Sequence, residues 1–433
     1  MSRKRAPAPA ADATALPPPE TLFAGLAGAR GLVAAVSGGP DSTALMLLLS
    51  RWQGRPNTLV VTVDHGLRPE STEEAALVAR NAARLGLEAR TVRPDVPYAA
   101  GNLQAWARGA RYACLAVAAR EAGADTIVTA HHRDDQAETF LLRLARGSGV
   151  YGLAAMAPVS HLGDFRLARP LLSVPRQALA DLVDREGLEV VRDPSNADPR
   201  FDRVAIRGLM PGLAERGLTA ERLAGTAQRL ARAADALDGV VSSLIAENFV
   251  VDACGTIATS GAALMISHDE IALRALARLV SAAGGALYTP RLDRLEALLS
   301  AIRAGADFRR TMHGAVVSST GGQIAIAREF GRNGLAFVSV EDADDVIWDR
   351  RFRLMVDPGG ESIEVGPLGA SGRRLASVAL GRRRLATLPG LYRGRSLIAA
   401  PAGIVADDGG PALAGLAVEC LVGARLGLSS PPA

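Results

Sequence analysis

Lysine is all but missing from this chain: of its 49 lysine and arginine residues, Lys4 is the only lysine. A phosphate loop of the G-x-x-x-x-G-K-[ST] type depends on a lysine at the β- and γ-phosphates, so that class of nucleotide site is excluded. Cysteine is scarce too. Cys114, Cys254 and Cys420 lie far apart with no C-x-x-C pair, which excludes a disulfide framework and a zinc ribbon and fits a reducing, cytoplasmic setting. No apolar run approaches the ~20 residues of a membrane span, so no membrane partner is expected. Aromatic residues make up 4% of the chain, too few for a surface that binds single strands mainly by base stacking.

What is present is apolar content of 48% over 433 residues, enough for two or three cores. The formal net charge is +4 and the sequence pI about 9.3. Because nearly all of the positive charge is arginine, the surface is rich in groups that grip phosphate bidentately. Nucleic acid is thereby permitted as a partner but not established by charge. The opening "MSRKRAPAPAADATALPPPE" is basic and rich in Ala and Pro without an apolar signal core, and residues 1–27 are expected to form a disordered tail.

Between about 30 and 170, β-type runs ("GLVAAVS", "TLVVTVDHG", "EARTVRP", "ADTIVTAHH") alternate with segments of 3.6-residue apolar period. That alternation predicts an α/β domain with a doubly wound parallel sheet over 28–210. Residues 211–305 read as a mostly helical domain of consecutive amphipathic helices with Gly and Pro breaks, and 306–433 as a small α+β region of short, glycine-punctuated pieces; if the partner is RNA, these regions are expected to grip its body by shape and phosphate contacts.

In such a sheet ligands lie beyond the carboxyl ends of the strands. There the run "VAAVSGGPDSTALMLLL" (33–49) turns from strand to helix through Ser37, Gly38, Gly39, Pro40, Asp41 and Ser42. Two glycines let backbone N–H groups approach an anion, and the helix N-terminus adds its partial positive charge. Asp41 would repel that anion unless a divalent cation stood between them, which points to Mg²⁺. The S-G-G-x-D-S pattern in this setting resembles the ATP pyrophosphatases of the PP-loop superfamily, which cleave ATP between its α- and β-phosphates to adenylate an oxygen. The resemblance implies an adenine nucleotide alpha hydrolase-like fold and ATP as co-substrate.

Relatives that transfer sulfur need cysteine pairs, and relatives fed by a glutaminase need its nucleophilic cysteine; neither occurs around this loop. Further segments, in order, are "VDHGLRPES" (63–71), "ARGARY" (107–112), "TAHHRDDQAET" (129–139), "RLARGSGVYGLAAM" (143–156), "RPLL" (169–172) and "RDPSNADPRFDRVAIR" (192–207). With them the chain resembles the tRNA(Ile)-lysidine synthases. This resemblance implies a ligase that joins L-lysine to C2 of the first anticodon cytidine of tRNA-Ile(CAU) through an adenylated intermediate, with release of AMP and pyrophosphate. The codon read then changes from AUG to AUA.

On that reading Ser37 to Ser42 cradle the phosphates, Asp41 meets the metal, and Arg108 and Arg111, three apart on one helix, reach the same phosphates. His131, Asp134, Asp135 and Glu138 recur at i, i+3, i+4 and i+7, the spacing of one helical face. A metal site there lacks the H-E-x-x-H pattern. Asp134, Asp135 and Glu138 could form an acidic pocket for a cationic amine; the resemblance carries lysine recognition to this segment, best to Asp135 and Glu138, and either a carboxylate or a histidine such as His131 or His132 could accept the amine's proton. Catalytic weight falls on Asp41, Arg108, His131 and Asp135.

Arg200, Arg203 and Arg207 follow an Asp-Pro turn and are expected to meet tRNA phosphates; Val204 stands where the family is expected to have asparagine. Asp64 likewise replaces the asparagine expected before His65. Two other readings stay open: another PP-loop tRNA-modifying enzyme, such as a sulfur transferase, or an inactive nucleotide- or RNA-binding module. The oligomeric state is not legible, a homodimer being one option.

Overall fold

The computed structural model describes residues 16–428 except 67–69, 96–97, 99–102, 192–201, 287, 342–343, 370–374, 377–381, 402–404 and 407–413. Arg200 therefore lies outside the described residues. Chain contacts divide the protein into two compact units, at Ala234/Asp235.

The first unit opens with a short helix, α1 (Pro19–Leu22), and then alternates: β1 (Leu32–Ala35), α2 (Pro40–Arg51), β2 (Thr58–Val63), α3 (Ser71–Arg84), β3 (Glu88–Val92), α4 (Leu103–Glu121), β4 (Thr126–Val128) and α5 (Arg133–Ala145). There follow α6 (Val150–Leu153), a hairpin of β5 (Val159–Leu162) and β6 (Phe165–Ala168), α7 (Arg176–Arg185), α8 (Asp202–Glu215) and α9 (Ala220–Asn248), which runs across the division.

The sheet order is β3-β2-β1-β4-β6-β5; its pairs are parallel except for the β5–β6 hairpin at the edge. The expected doubly wound α/β sheet is thus present. Strand alternation sorts the side chains of β1: Leu32 and Ala34 pack with α2, α3 and α7 residues such as Leu45, Val78 and Leu179, whereas Val33 packs with Leu115 and Ala119 of α4. With both faces buried, the central strands must be apolar throughout. Because the chain passes from β1 to β2 on one side and later sets β4 on the other, the loops after β1 and β4 part and leave a crevice between them.

Part of the tail expected over 1–27 is folded instead. Phe23 is fully buried, its ring 5.2 Å from that of Trp52 at the end of α2, and Leu26 joins the same core. Sequence reading missed this because one aromatic in an Ala/Pro-rich run has no period to reveal it.

In the second unit β7 (Val250–Val251), β8 (Ile257–Thr259), β9 (Phe308–Met312), β10 (Ala315–Thr320) and β11 (Gln323–Arg328) form a sheet in the order β7-β8-β11-β10-β9. The short strands 250–251 and 257–259 fall inside the stretch expected to be mostly helical. Between strands lie α10 (Ala262–Ile266), α11 (Asp269–Ala283) and α12 (Leu292–Arg303), and Leu276, Val280 and Leu298 share one core with Val317 and Ile326 of the sheet. Gly321 and Gly322, both with positive φ, close the two-residue β10–β11 hairpin, the turn that matches strand twist. A second sheet runs through 338–340, 363–367, 389–393, 396–401 and 414–416, over a core centred on Trp348, Phe352 and Leu354.

Truncating Phe23 tests the folded entry segment. Phe23→Ala should destabilise the protein by about 3–5 kcal/mol in urea unfolding, as for other buried aromatics; a change within experimental error would return residues 19–27 to a tail.

Candidate active site

A cavity of about 500 Å³ opens at the carboxyl ends of β1, β2 and β4, where the switch in strand order places a crevice. Its floor is the turn after β1. Gly38 has φ +82°, and a Cβ there would lie 2.6 Å from Val191 Cγ2 and 3.2 Å from Val78 Cγ2. Only glycine satisfies both the left-handed backbone and the close approach. The Val191 N–H donates to the Gly38 carbonyl at 2.9 Å and Thr43 Oγ1 donates to the same oxygen at 3.2 Å. Ser42 Oγ accepts from the Ser37 N–H at 3.1 Å and donates to Gly39 O at 3.0 Å.

The loop is thereby rigid before any ligand arrives. Pro40 takes the first position of α2, and Gly39 at its N-cap supplies no side-chain acceptor. The first-turn N–H groups are left for an anion at the positive end of the helix.

Positive charge comes from elsewhere in the chain. Arg108 and Arg111 of α4, Arg176 at the start of α7, and Arg203 and Arg207 of α8 all line the cavity. Burial, and then the charge of Arg108, push the Arg111 pKa below its usual value despite Tyr112; an anion beside this pair relieves that cost.

Asp41 projects from the loop into the same space. Its Oδ2 lies 3.5 Å from His132 Nε2 and its Oδ1 3.9 Å from Arg176 Nε. Burial raises its pKa, but the hydrogen bond and charge of His132, with Arg176 and Arg207, outweigh burial and hold the carboxyl below the ordinary range. Oδ1 is buried without a hydrogen-bond partner. An ionised oxygen that accepts no hydrogen bond from the described residues, beside a phosphate cradle, suits one hard cation shared with phosphate oxygens. Among the described residues no cluster of three or more His, Cys, Asp or Glu could hold a metal, so the phosphates would have to supply the other ligands.

The two adjacent histidines are driven in opposite directions. His131 lines the cavity with Nδ1 2.8 Å from Thr129 Oγ1. Burial first, then Arg169, Arg203 and Arg108, lower its pKa to about 4 against the pull of Asp135. His132 is buried as the N-cap of α5 in a capping box: its Nδ1 accepts from the Asp135 N–H at 3.3 Å, and its own N–H donates to Asp135 Oδ2 at 3.0 Å. Burial disfavours its charge, yet the carboxylates of Asp41, Asp135 and Asp134 raise its pKa overall.

The acidic cluster does not converge as its spacing suggested. His131 precedes α5 and so does not share its face. Asp135 does reach the cavity wall. Asp134 instead accepts from the backbone N–H of Arg176 at 2.9 Å and is not among the lining residues. Glu138 is 2% exposed and takes Arg207 bidentately, at 2.7 and 3.2 Å. Of the three carboxylates expected to form the pocket, only Asp135 faces the cavity, with its Oδ2 held by the His132 N–H, because the other two are engaged by α7 and α8.

Three contributors were missed or only partly foreseen. His132 shows in sequence as one of a pair, but its contact with Asp41 is tertiary. Arg176, in "SVPR", carries no local signal at all. His65 lines the cavity with both ring nitrogens buried and without a hydrogen-bond partner among the described residues, 5.7 Å from the Trp106 ring, a cost that a bound ligand or water would offset. Asp64, the departure beside it, is compensated: its carboxylate accepts from Arg93 at 2.9 and 2.8 Å and from the Gly66 N–H at 2.9 Å.

Residues 19–213 match the PP-loop domain family. The tRNA(Ile)-lysidine synthase of Methylobacterium nodulans is 44% identical over 70% of this chain and 91% of its own length. This chain belongs to the tRNA(Ile)-lysidine synthase family. The member from Rhodopseudomonas palustris is 44% identical over 72% of this chain and 94% of its own length. That from Ruegeria pomeroyi, 40% identical, extends the match to 86% of this chain and 88% of its own. Membership makes the chain a carbon–nitrogen ligase whose PP-loop domain uses ATP. No helix among the described residues is long and apolar enough to cross a membrane.

The Glu138–Arg207 pair is asymmetric, since the carboxylate is buried and the guanidinium is 36% exposed. Arg207→Gln should therefore destabilise the protein by about 3 kcal/mol, leaving a buried charge unpaired, whereas Glu138→Gln should cost about 1 kcal/mol because Arg207 can turn to water. Equal losses in denaturant unfolding would contradict that asymmetry.

The histidines give a spectroscopic test. Of the six imidazoles, that of His131 should titrate near pH 4 by NMR and that of His132 above the usual 6.5. Between about pH 4 and 6.5 the unfolded chain binds more protons at His131, so that residue lowers stability as pH falls. His132 acts oppositely: its contribution is complete below pH 6.5 and is lost as pH rises through its folded pKa. Coincident titrations would remove this account.

Proposed function

We propose that this ligase joins the side-chain amine of free L-lysine to C2 of the cytidine at the first anticodon position of tRNA-Ile(CAU). The observation that carries this reading is one cavity with a phosphate cradle at its floor, five arginines on its walls and the Asp135 carboxylate at its side, one oxygen of which, Oδ2, accepts from the His132 N–H.

In the first step the C2 oxygen of cytosine attacks the α-phosphorus of ATP and pyrophosphate leaves. Ser37 to Ser42 hold the departing phosphates through backbone N–H groups, and Arg108, Arg111 and Arg176 offset the charge that develops on them. Mg²⁺ at Asp41 would neutralise charge between the phosphates and the carboxylate. His132, drawn toward its charged form, fixes the Asp41 carboxylate.

In the second step the lysine amine attacks C2, the C2–O bond breaks and AMP departs. Asp135 receives an ammonium group of lysine, which selects it over neutral amino acids. His131 is neutral at pH 7 and offers a lone pair, but its depressed basicity suits it to orient the amine rather than to keep the proton. Arg203 stands on the cavity wall facing the tRNA backbone, and the target cytidine leaves the anticodon stack to reach the cradle. Glu138 acts at one remove, by holding Arg207.

The test is incorporation of labelled L-lysine into a tRNA-Ile(CAU) transcript with ATP and Mg²⁺, beside a methionine tRNA of the same anticodon. Labelling of the first alone, with AMP and pyrophosphate released, is expected. AMP release with another amine or sulfur donor in place of lysine would keep the cradle and discard the lysine assignment. In the same assay Asp41→Asn should lower AMP formation by ~100-fold or more while tRNA affinity is unchanged; normal turnover would remove the metal argument.

A further inference from the structure

On the β2 side of the cavity the wall is made by His65, in the turn after β2, and by Ser71, Glu74 and Ala75 of α3. Helix α3 starts without a side-chain cap, its N-cap residue being Glu70. Its first N–H groups and its entry angle therefore need support from outside the helix.

Asp64 supplies that support. It is 3% exposed, and its N–H donates to Val92 O at 2.9 Å, which fixes its backbone to the end of β3. Its carboxylate then reaches in three directions. Oδ1 accepts from the Gly66 N–H at 2.9 Å and so closes the turn that carries His65. The Ser71 hydroxyl, at the start of α3, donates to the same carboxylate. Oδ2 takes both Nε and Nη2 of Arg93, at 2.9 and 2.8 Å, and Nη2 donates in turn to Thr72 Oγ1 at 3.3 Å. The pair thus binds the turn, the end of β3 and the first turn of α3 together directly behind the cavity wall. A carboxylate there also suits the positive end of α3.

Burial raises the Asp64 pKa, but Ser71, Gly66 and Arg93 together hold it below the usual carboxylate range. Asparagine, the residue expected at this position in the family, would offer its one oxygen to Gly66 or Ser71 and turn an amide N–H toward Arg93, donor against donor. Aspartate at 64 and arginine at 93 are therefore used together. Neither lines the cavity itself.

The strand order sets β2 and β4 on opposite sides of β1, so this wall faces the cradle from the side away from His131 and Asp135. With lysine at Asp135, the β2 side is left to the nucleotide whose phosphates lie in the cradle. We infer that Asp64 and Arg93 are a positioning pair that sets His65 and Ser71 against bound ATP. This inference rests on the proposed reading, which places lysine at Asp135.

The test compares the full-length wild type with Asp64→Asn, Arg93→Gln and the double variant. Each single change should raise both the KM for ATP and the Kd for ATP with Mg²⁺, measured without lysine or tRNA, about 3- to 10-fold, the equivalent of one ordinary hydrogen bond. The KM for lysine and kcat should keep their wild-type values. Because the two residues act as one, the double variant should be no worse than Asp64→Asn alone. A merely structural pair would lower the melting temperature and the fraction of active enzyme while leaving the KM and Kd for ATP unchanged, and that result would overturn the inference. So would a parallel rise in the KM for lysine, or additive losses in the double variant. If Asp64→Asn fails to fold, Arg93→Gln, at a side chain 67% exposed, decides by the same measurements. Failure of the wild type to form lysidine would count against the proposed function, whereas the ATP titration needs neither lysine nor tRNA and judges the pair on its own.

Discussion

A phosphate cradle without lysine has to neutralise its ligand with backbone dipoles and with cations brought from distant parts of the chain, and the first unit is arranged around that requirement. The backbone part is local. Gly38, left-handed and pressed against Val191 and Val78, turns the chain from β1 into α2, while the Ser42 hydroxyl ties Ser37 to Gly39. The cationic part is not local: α4, α7 and α8 each deliver arginine to the same opening. Strand order makes this possible, because the gap between the loops after β1 and β4 is where those helices can all present side chains.

Placing so many guanidiniums near one cavity creates a second constraint, since each needs either a ligand or a carboxylate. Glu138 and Asp41 answer it differently. Glu138 is buried and spends both oxygens on Arg207, which fixes α8 against α5 and aims an arginine at the cavity. Asp41 stays charged through His132 and Arg176 yet leaves Oδ1 without a hydrogen bond. Burial and field together separate the histidines: burial, reinforced by nearby arginines, keeps the His131 pKa low, whereas the carboxylates around His132 outweigh its burial and draw it toward its cation.

The second unit repeats the theme of arginine with incomplete neutralisation. In one place Asp349 serves Arg328 and Arg351; in another, Arg278 and Arg425 rest on hydroxyl and carbonyl oxygens. A chain that uses arginine for nearly all of its positive charge keeps forked, persistent donors wherever a carboxylate is not at hand.

The sequence by itself determined the elements and the cradle. Strand and helix periods, the two glycines and the proline at the start of α2 act through the conformational limits of neighbouring residues, so the turn at Ser37 to Ser42 was legible from their order, and its likeness to the ATP pyrophosphatases gave it the expected phosphate-binding role. Family membership was legible for the same reason, as short motifs kept in order. Only the tertiary structure decided which members of "HHRDDQAET" face a ligand. Helical spacing set Asp134, Asp135 and Glu138 near one another, but a partner 42 residues away takes Asp134 and one 69 residues away takes Glu138. Packing decided equally that Phe23 belongs to a core and that Arg425 stands beside Arg278. Electrostatic partnership depends on distance and burial in space, and neither is encoded in the spacing of residues along the chain.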